Sequence, residues 1–149
     1  MRAFALLAWF VLLVASPAVA GPFAGSDDYK THLEFLGYNV DDGETSLLAK
    51  HDTYYNISVK AYNGGVLVVT FFGTTDKAKR DRVGFFEFLN DMNKDAVAAR
   101  YYEDAEADVI VEGWYPGDYD RSRFATFLEK FNGISDQLGD SEIAADYLE

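Results

Sequence analysis

The sequence predicts an α+β fold in which helices pack on an antiparallel sheet, and three observations carry that prediction. Strand-like segments are grouped between helical ones in the order α-β-β-β-α-β-β-α, and grouping of this kind is the mark of α+β domains. Asn63-Gly64-Gly65 joins two strand-like segments through a tight hairpin signal, which makes those neighbours antiparallel. Phe124, Phe127, Leu128, Phe131 and Leu138 stripe the clearest amphipathic helix of the chain.

Residues 1–20 read as an export signal rather than as part of the fold. Arg2 precedes an apolar run from Ala3 to Val14, and Ala18-Val19-Ala20 is a small-residue cleavage site, which together meet the physical requirements of a secretory signal peptide. The run is shorter than the ~20 residues that span a bilayer. The expectation is cleavage after Ala20, a periplasmic location and no stable membrane insertion afterwards. The chain has no cysteine, which excludes disulfides and thiol catalysis.

The remaining stretch of about 130 residues is one domain by length. Residues 21–139 are assigned to it and 140–149 to an acidic C-terminal tail. Gly21 to Gly25 is a leader, and Ser26 reads as an N-cap with Asp27 and Asp28 in the first turn of a helix. Tyr29, Leu33 and Leu36 give that helix one apolar face, and Gly37 stops it. The polar segment Asn39 to Glu44 is a turn around Asp41-Asp42-Gly43.

Three strands are predicted next, over Ser46 to Lys50, Tyr54 to Tyr62 and Val66 to Phe72. In the second, Tyr55, Ile57, Val59 and Ala61 share one face. The third is apolar throughout, which predicts a central strand covered on both faces. A charged segment, Asp76 to Arg82, leads into a helix with Phe85, Phe88, Leu89 and Met92 at helical spacing, ending near Asn93. Ala98 to Tyr102 and Val109 to Trp114 form an antiparallel pair around the acidic turn Glu103 to Asp108. The last helix begins near Asp120, and Ser141 to Leu148 has room for one extra turn.

Composition limits the partners. The net charge of −12 repels nucleic acid and anionic lipid, so neither is an expected partner. Twelve Phe and ten Tyr predict an aromatic-rich core and some rings left at the surface.

The run Phe86-Glu87-Phe88-Leu89-Asn90-Asp91-Met92-Asn93, then Ala98-Ala99-Arg100-Tyr101-Tyr102-Glu103-Asp104 and the strand to Trp114, resembles the central segment of the YbjN family. That family pairs an Asn-x-x-Asn helix end with an Ala-rich, Tyr-containing strand, an acidic turn, a strand and a long last helix. By element order the resemblance extends from Ser26 to Leu138. Met92 departs from the aromatic residue many members carry before the second Asn. The resemblance implies a fold similar to type III secretion chaperones, small acidic proteins that dimerise and hold client segments, and a label of sensory transduction regulator. It assigns Asn90, Asn93, Tyr102 and Asp104 to the family motif as structural residues. It implies no chemistry, and fold alone does not fix function.

Nothing in the residues themselves argues for catalysis. His32 and His51 are the only histidines, no Gly-x-Ser-x-Gly elbow is present, and neither a metal-ligand spacing nor a calcium-loop pattern occurs, so no catalytic, cofactor or metal residues are assigned. Asp27-Asp28, Asp41-Asp42 and Asp118 with Asp120 fit helix starts and turns. Lys77, Lys79, Arg80 and Arg82 fit a solvated connection that offsets acidic repulsion. Asn90 and Asn93 are placed to cap the bend from helix to strand.

Tyr54, Tyr62, Tyr101, Trp114 and Tyr115 are more rings than a small one-sheet core can hold, and they are the candidate partner-binding residues. The expected function is therefore an exported, non-enzymatic interaction module binding a protein or peptide through a strand edge or aromatic groove, with a homodimer expected. A small-ligand sensor would instead require an apolar cavity, and a hydrolase would require a pocket of convergent polar groups.

Overall fold

The computed structural model describes residues 21–149, so the signal-peptide expectation for residues 1–20 lies outside the described part of the chain. The first helix, α1, spans Ser26–Phe35. Its N-cap is Gly25 in the left-handed region at φ +79°, with Ser26 already inside the first turn, so the cap sits one residue earlier than the sequence suggested. Its end is a Schellman turn. Gly37 at φ +94° lets its own N–H donate to Glu34 O at 3.0 Å, and Tyr38 N–H reaches back to Leu33 O at 3.0 Å. That turn drives the Tyr38 ring into the core.

Six strands follow: β1 Asn39–Asp42, β2 Ser46–Lys50, β3 Ile57–Tyr62, β4 Gly65–Phe72, β5 Arg100–Glu103 and β6 Val109–Pro116. They form one antiparallel sheet in the order β1-β2-β3-β4-β6-β5. The α+β class holds, with one strand more than predicted. β1 replaces the expected turn, because Val40 pairs with Ala49 and buries its side chain while its neighbours stay exposed. Asn63 and Gly64 both take positive φ, as a two-residue hairpin between β3 and β4 requires.

The helices are α2 Asp76–Arg80, α3 Arg82–Asp95, α4 Arg121–Asp140 and α5 Ala144–Tyr147. Side chains cap three of them: Thr75, Asp81 and Asp120 accept from Ala78, Gly84 and Arg123 N–H respectively. The segment 140–149 is not a tail. Ala144, Tyr147 and Leu148 are buried, Leu148 bridges Thr74, and Glu149 N–H donates to Gly73 O at 2.9 Å.

Strand parity decides where the core lies. Leu47, Val59, Val68 and Val111 sit on one sheet face, and Leu33 of α1, Phe85 of α3 and Phe124, Phe131 and Leu138 of α4 pack against it. Gly113 allows the closest approach: a Cβ there would meet the Phe127 and Phe131 rings at 3.0 Å. Leu67, of opposite parity in β4, is buried yet stands outside this cluster. The helices therefore cover one face, which corrects the expectation of a β4 covered on both.

Candidate functional site

The uncovered face is built by the alternate residues of each strand, and the register arranges them in rows. One row runs Lys60, Leu67, Trp114; the next runs Leu48, Ser58, Val69, Glu112, Arg100; a third runs Phe71, Ile110, Tyr102. Phe71 is 65% exposed and Trp114 48%, and Leu48 and Tyr62 are also open to solvent. Isolated exposed apolar residues are ordinary, whereas a contiguous group marks an interaction surface.

Two features fix this surface. The Trp114 indole N–H donates to Tyr62 O at 3.3 Å, which sets the ring across the β3–β4 hairpin. Arg100 donates to Glu112 Oε1 at 2.7 Å from one nitrogen and 3.1 Å from another, while its guanidinium lies over the Tyr102 ring at 5.1 Å from the centroid. The Tyr102 hydroxyl also donates to Glu112 Oε2 at 3.4 Å. Of the 25 carboxylates in the chain, only Asp41 and Glu112 belong to strand positions on this face, against Lys50, Lys60 and Arg100. The strong negative charge of the protein is carried elsewhere.

The sheet edges are less available. At edge strand β5 the outward N–H and C=O of Tyr101 are both taken by the Asn93 carboxamide, which removes a strand-addition site. At the other edge, β1 is four residues long and ends on Asp41 and Asp42, with Lys30 paired to Asp42 at 2.9 Å. The β5 edge is thus closed at Tyr101, and the exposed rings lie on the sheet face.

The five candidate aromatic residues do not form one surface. Tyr62 and Trp114 lie together on the open face. Tyr101 and Tyr115 are core residues, because their strand parity matches Val109 and Val111. Tyr101 donates to Ile134 O at 2.7 Å, and burial pushes its hydroxyl up to about 12. Tyr115 packs against Phe124 with ring centroids 5.3 Å apart. Tyr54 is exposed on the β2–β3 connection, away from the sheet face, with its ring 4.7 Å from His51. Phe71 and Leu48 were missed, although their parity with Leu67 and Ser46 was readable.

Of the motif residues, Asn93 bonds Leu89 O and both backbone groups of Tyr101, closing the bend from α3 to β5. Asp104 Oδ1 accepts from Glu106 and Asp108 N–H and forms the acidic turn. Asn90 is exposed. His32 is buried, with Nδ1 2.8 Å from the Tyr119 hydroxyl; burial first and Arg121 second hold its pKa below the usual histidine value. His51 Nδ1 accepts from Thr53 and Tyr54 N–H in its own turn. Lys77 pairs with Asp146 at 2.6 Å, Arg82 with Glu103 and Arg80 with Asp76 at 3.9 Å, so three of the four cations of the basic cluster have a carboxylate partner within the fold. Among the described residues no group of three His, Cys, Asp or Glu side chains could hold a metal ion, and no helix is long and apolar enough to cross a membrane.

No family model and no curated protein matches the sequence. The fold is similar to that of solved structures. One is YbjN of E. coli, described as a candidate transcription regulator, with a TM-score of 0.69, 14% identity, and 84% of this chain and 96% of that chain covered. Another is a chain of the heterodimeric ExoU-SpcU complex from the type III secretion system of Pseudomonas aeruginosa, with a TM-score of 0.56, 15% identity, and 80% and 96% covered. The chain has a YbjN-like fold. At these identities the likeness concerns architecture, and the YbjN-like sheet carries its aromatic rows on the face away from the helices.

Proposed function

We propose that the chain is an exported, non-enzymatic protein-interaction module that binds a protein or peptide partner through the open sheet face. The observation that carries this reading is the side-by-side placement of Leu67, Trp114, Phe71 and Ile110 on the face opposite the one that the helices of the described residues pack against. Five strand spacings of ~4.8 Å and strands of ~20 Å give a face of roughly 500 Å² in plan, more than half of the ~800 Å² that one partner buries in a standard interface. Aromatic rings on a flat sheet supply contact area at small entropy cost. The scarcity of carboxylates there removes local repulsion, so a second copy can meet this face with both acidic bodies turned outward. A homodimer is part of the proposal. The likeness to a chain of a type III secretion complex supports a partner-binding role. The apolar run before Ala20 supports a periplasmic setting for it.

The test uses residues 21–149, tagged, and an envelope fraction of the host after mild cross-linking, with molar mass measured by light scattering in parallel. A saturable partner or a dimer that is lost in both Trp114→Ala and Phe71→Ser supports the reading. A monomer whose captures are indifferent to both substitutions overturns it.

A further inference from the structure

A separate feature lies at one end of the sheet on the helix side, and it depends on neither the open face nor the reading above. The start of α1, the β3–β4 hairpin and the β6–α4 connection surround a recess of about 670 Å³, lined among others by Phe23, Asp28, Tyr29, Ala61, Asp118 and Tyr119. That volume falls within the ~300–1,000 Å³ of small-molecule sites. Ala61 marks where the core stops short: it shares its sheet face with Ile57 and Val59, which are buried, yet it is exposed. Gly117 N–H donates to Gly64 O at 2.9 Å, which ties the connection to the hairpin.

Tyr29 is the residue that points to a ligand. Among the described residues five tyrosines are buried: Tyr29, Tyr38, Tyr101, Tyr115 and Tyr147. Tyr38 has the Asn132 carboxamide as its partner, Tyr101 donates to Ile134 O, Tyr115 donates to Asp118 O and accepts from Asp120 N–H, and Tyr147 donates to Asp81. The Tyr29 hydroxyl has no such partner among the described residues, although the residue is only 3% exposed. Its ring is fixed edge-on against Tyr119 and Phe124, with centroids 5.1 and 4.8 Å away. Burial first, then Tyr115, Asp118, Asp28 and Tyr119, push the hydroxyl up to about 12, so it stays protonated in the field of two carboxylates that line the recess. A buried hydroxyl without a partner carries a desolvation cost that a ligand can offset.

The surroundings of that hydroxyl select the ligand. Asp28 on α1 and Asp118 on the β6–α4 connection only accept hydrogen bonds when ionised, and neither takes part in a salt bridge among the described residues. No Lys or Arg lines the recess. Phe23 and Tyr119 add aromatic surface, which attracts positive charge, while the Tyr119 hydroxyl is already engaged with His32 Nδ1 at 2.8 Å. The positive end of the α1 dipole opens here too, but Asp27 and Asp28 in its first turn offset it. Three acceptors call for a cation that bears N–H groups, and Ala61 and Val66 call for an alkyl part beside it. We propose that this recess is a binding site for a small primary alkylammonium ion, its N–H groups taken by the Tyr29 hydroxyl and the Asp28 and Asp118 carboxylates.

Residues 21–149, which hold the whole core of the described fold, are labelled with ¹⁵N and titrated at constant ionic strength with n-butylammonium, with 1-butanol as the neutral match and with tetramethylammonium as a cation lacking N–H. n-Butylammonium is expected to give saturable shifts at the Gly25, Gly64 and Gly117 amides by ~20 mM, an affinity its few heavy atoms allow. 1-Butanol and tetramethylammonium should bind at least about tenfold more weakly. Tyr29→Phe should weaken n-butylammonium about tenfold without lowering the melting temperature, since its hydroxyl leaves no partner behind. Asp28→Asn combined with Asp118→Asn should weaken it by at least about tenfold. Ala61→Phe, at an exposed position, should abolish the shifts by filling the recess while keeping the spectrum of the fold. The absence of saturable shifts, equal binding of 1-butanol or tetramethylammonium, or binding that survives Ala61→Phe or the paired Asp substitutions overturns the proposal. So does a destabilised Tyr29→Phe, because the hydroxyl would then already have a partner within the fold.

Discussion

Asn93 on α3 holds the backbone of Tyr101 on β5 from both sides: its Oδ1 accepts the Tyr101 N–H at 2.9 Å, and its Nδ2 donates to Tyr101 O at 2.9 Å. The same Nδ2 donates to Leu89 O at 3.0 Å within its own helix. One carboxamide thus closes the helix end and occupies the edge of the sheet. Asn93→Ala is expected to cost about 1–3 kcal/mol, since both backbone groups of Tyr101 lose their partner. Asn93→Asp keeps the acceptor only and should fall between. Urea unfolding of the three proteins checks this, and an Asn93→Ala protein as stable as the parent would show that water replaces the carboxamide at no cost.

The C-terminal turn is expected to be a structural clasp. Tyr147 stacks on Phe88 with centroids 5.7 Å apart and donates to Asp81 at 2.9 Å, while Thr75 N–H donates to Tyr147 O at 3.0 Å. Tyr147→Ala removes a buried ring and should cost about 3–5 kcal/mol. Tyr147→Phe keeps the ring and loses the hydroxyl, for about 1 kcal/mol. Chemical denaturation separates the two, and a Tyr147→Ala loss below that of Tyr147→Phe would argue against the clasp.

His32 should make stability depend on pH. Burial, and then Arg121, lower its pKa in the folded protein, so the unfolded chain takes up a proton more readily. The contribution is fully present above the unfolded value of ~6.5 and is lost as the pH falls from there towards the folded pKa. Unfolding free energy should therefore drop between pH 7.5 and pH 5, and the drop should be smaller in His32→Gln. Parallel pH profiles for the two proteins would assign the effect to other groups.

On the open sheet face, charge should separate binding from folding. Trp114→Glu and Phe71→Glu place a carboxylate among exposed rings, and surface changes of this kind stay within about 0.5 kcal/mol of the parent stability. Loss of partner or dimer affinity of about 2 kcal/mol, near thirtyfold, is expected of a ring at the centre of an interface. Titration of the captured partner, or the dimer dissociation constant, reads it. Unchanged affinity in both variants would place the interface elsewhere.

Much of this architecture was legible in residue patterns, and the exceptions have physical reasons. The helical stripe of α4 and the alternation of β3 depend on many residues each, so they survive any single ambiguity. β1 has one buried side chain, Val40, and its strand conformation comes from pairing with β2, which local sequence does not encode. Ala144, Tyr147 and Leu148 follow helical spacing, but an acidic segment this short gives no sign that a cleft awaits it. At the candidate site, Tyr101 and Tyr102 are adjacent, and only the register of β5 on β6 sends the first into the core and the second outward. The continuous apolar run of β4 showed a strand rich in contacts, yet could not show that the helices of the described residues all pack on one of its faces.

The sheet order β1-β2-β3-β4-β6-β5 also has a kinetic meaning. β2, β3 and β4 each pair with the strand before them, and β5 pairs with β6, so a four-stranded meander and a hairpin can each close locally. The seam between β4 and β6 joins opposite halves of the chain, and must wait until the intervening α2–α3 segment has folded back. Refolding followed by pulsed hydrogen exchange should protect β2 and β3 amides before those of β6, whereas simultaneous protection would mean that the seam itself is the nucleus. A late seam leaves the rims of β4 and β6 exposed to one another's copies during that interval, and this makes exchange of the β5–β6 hairpin between molecules the characteristic misassembly of such a chain.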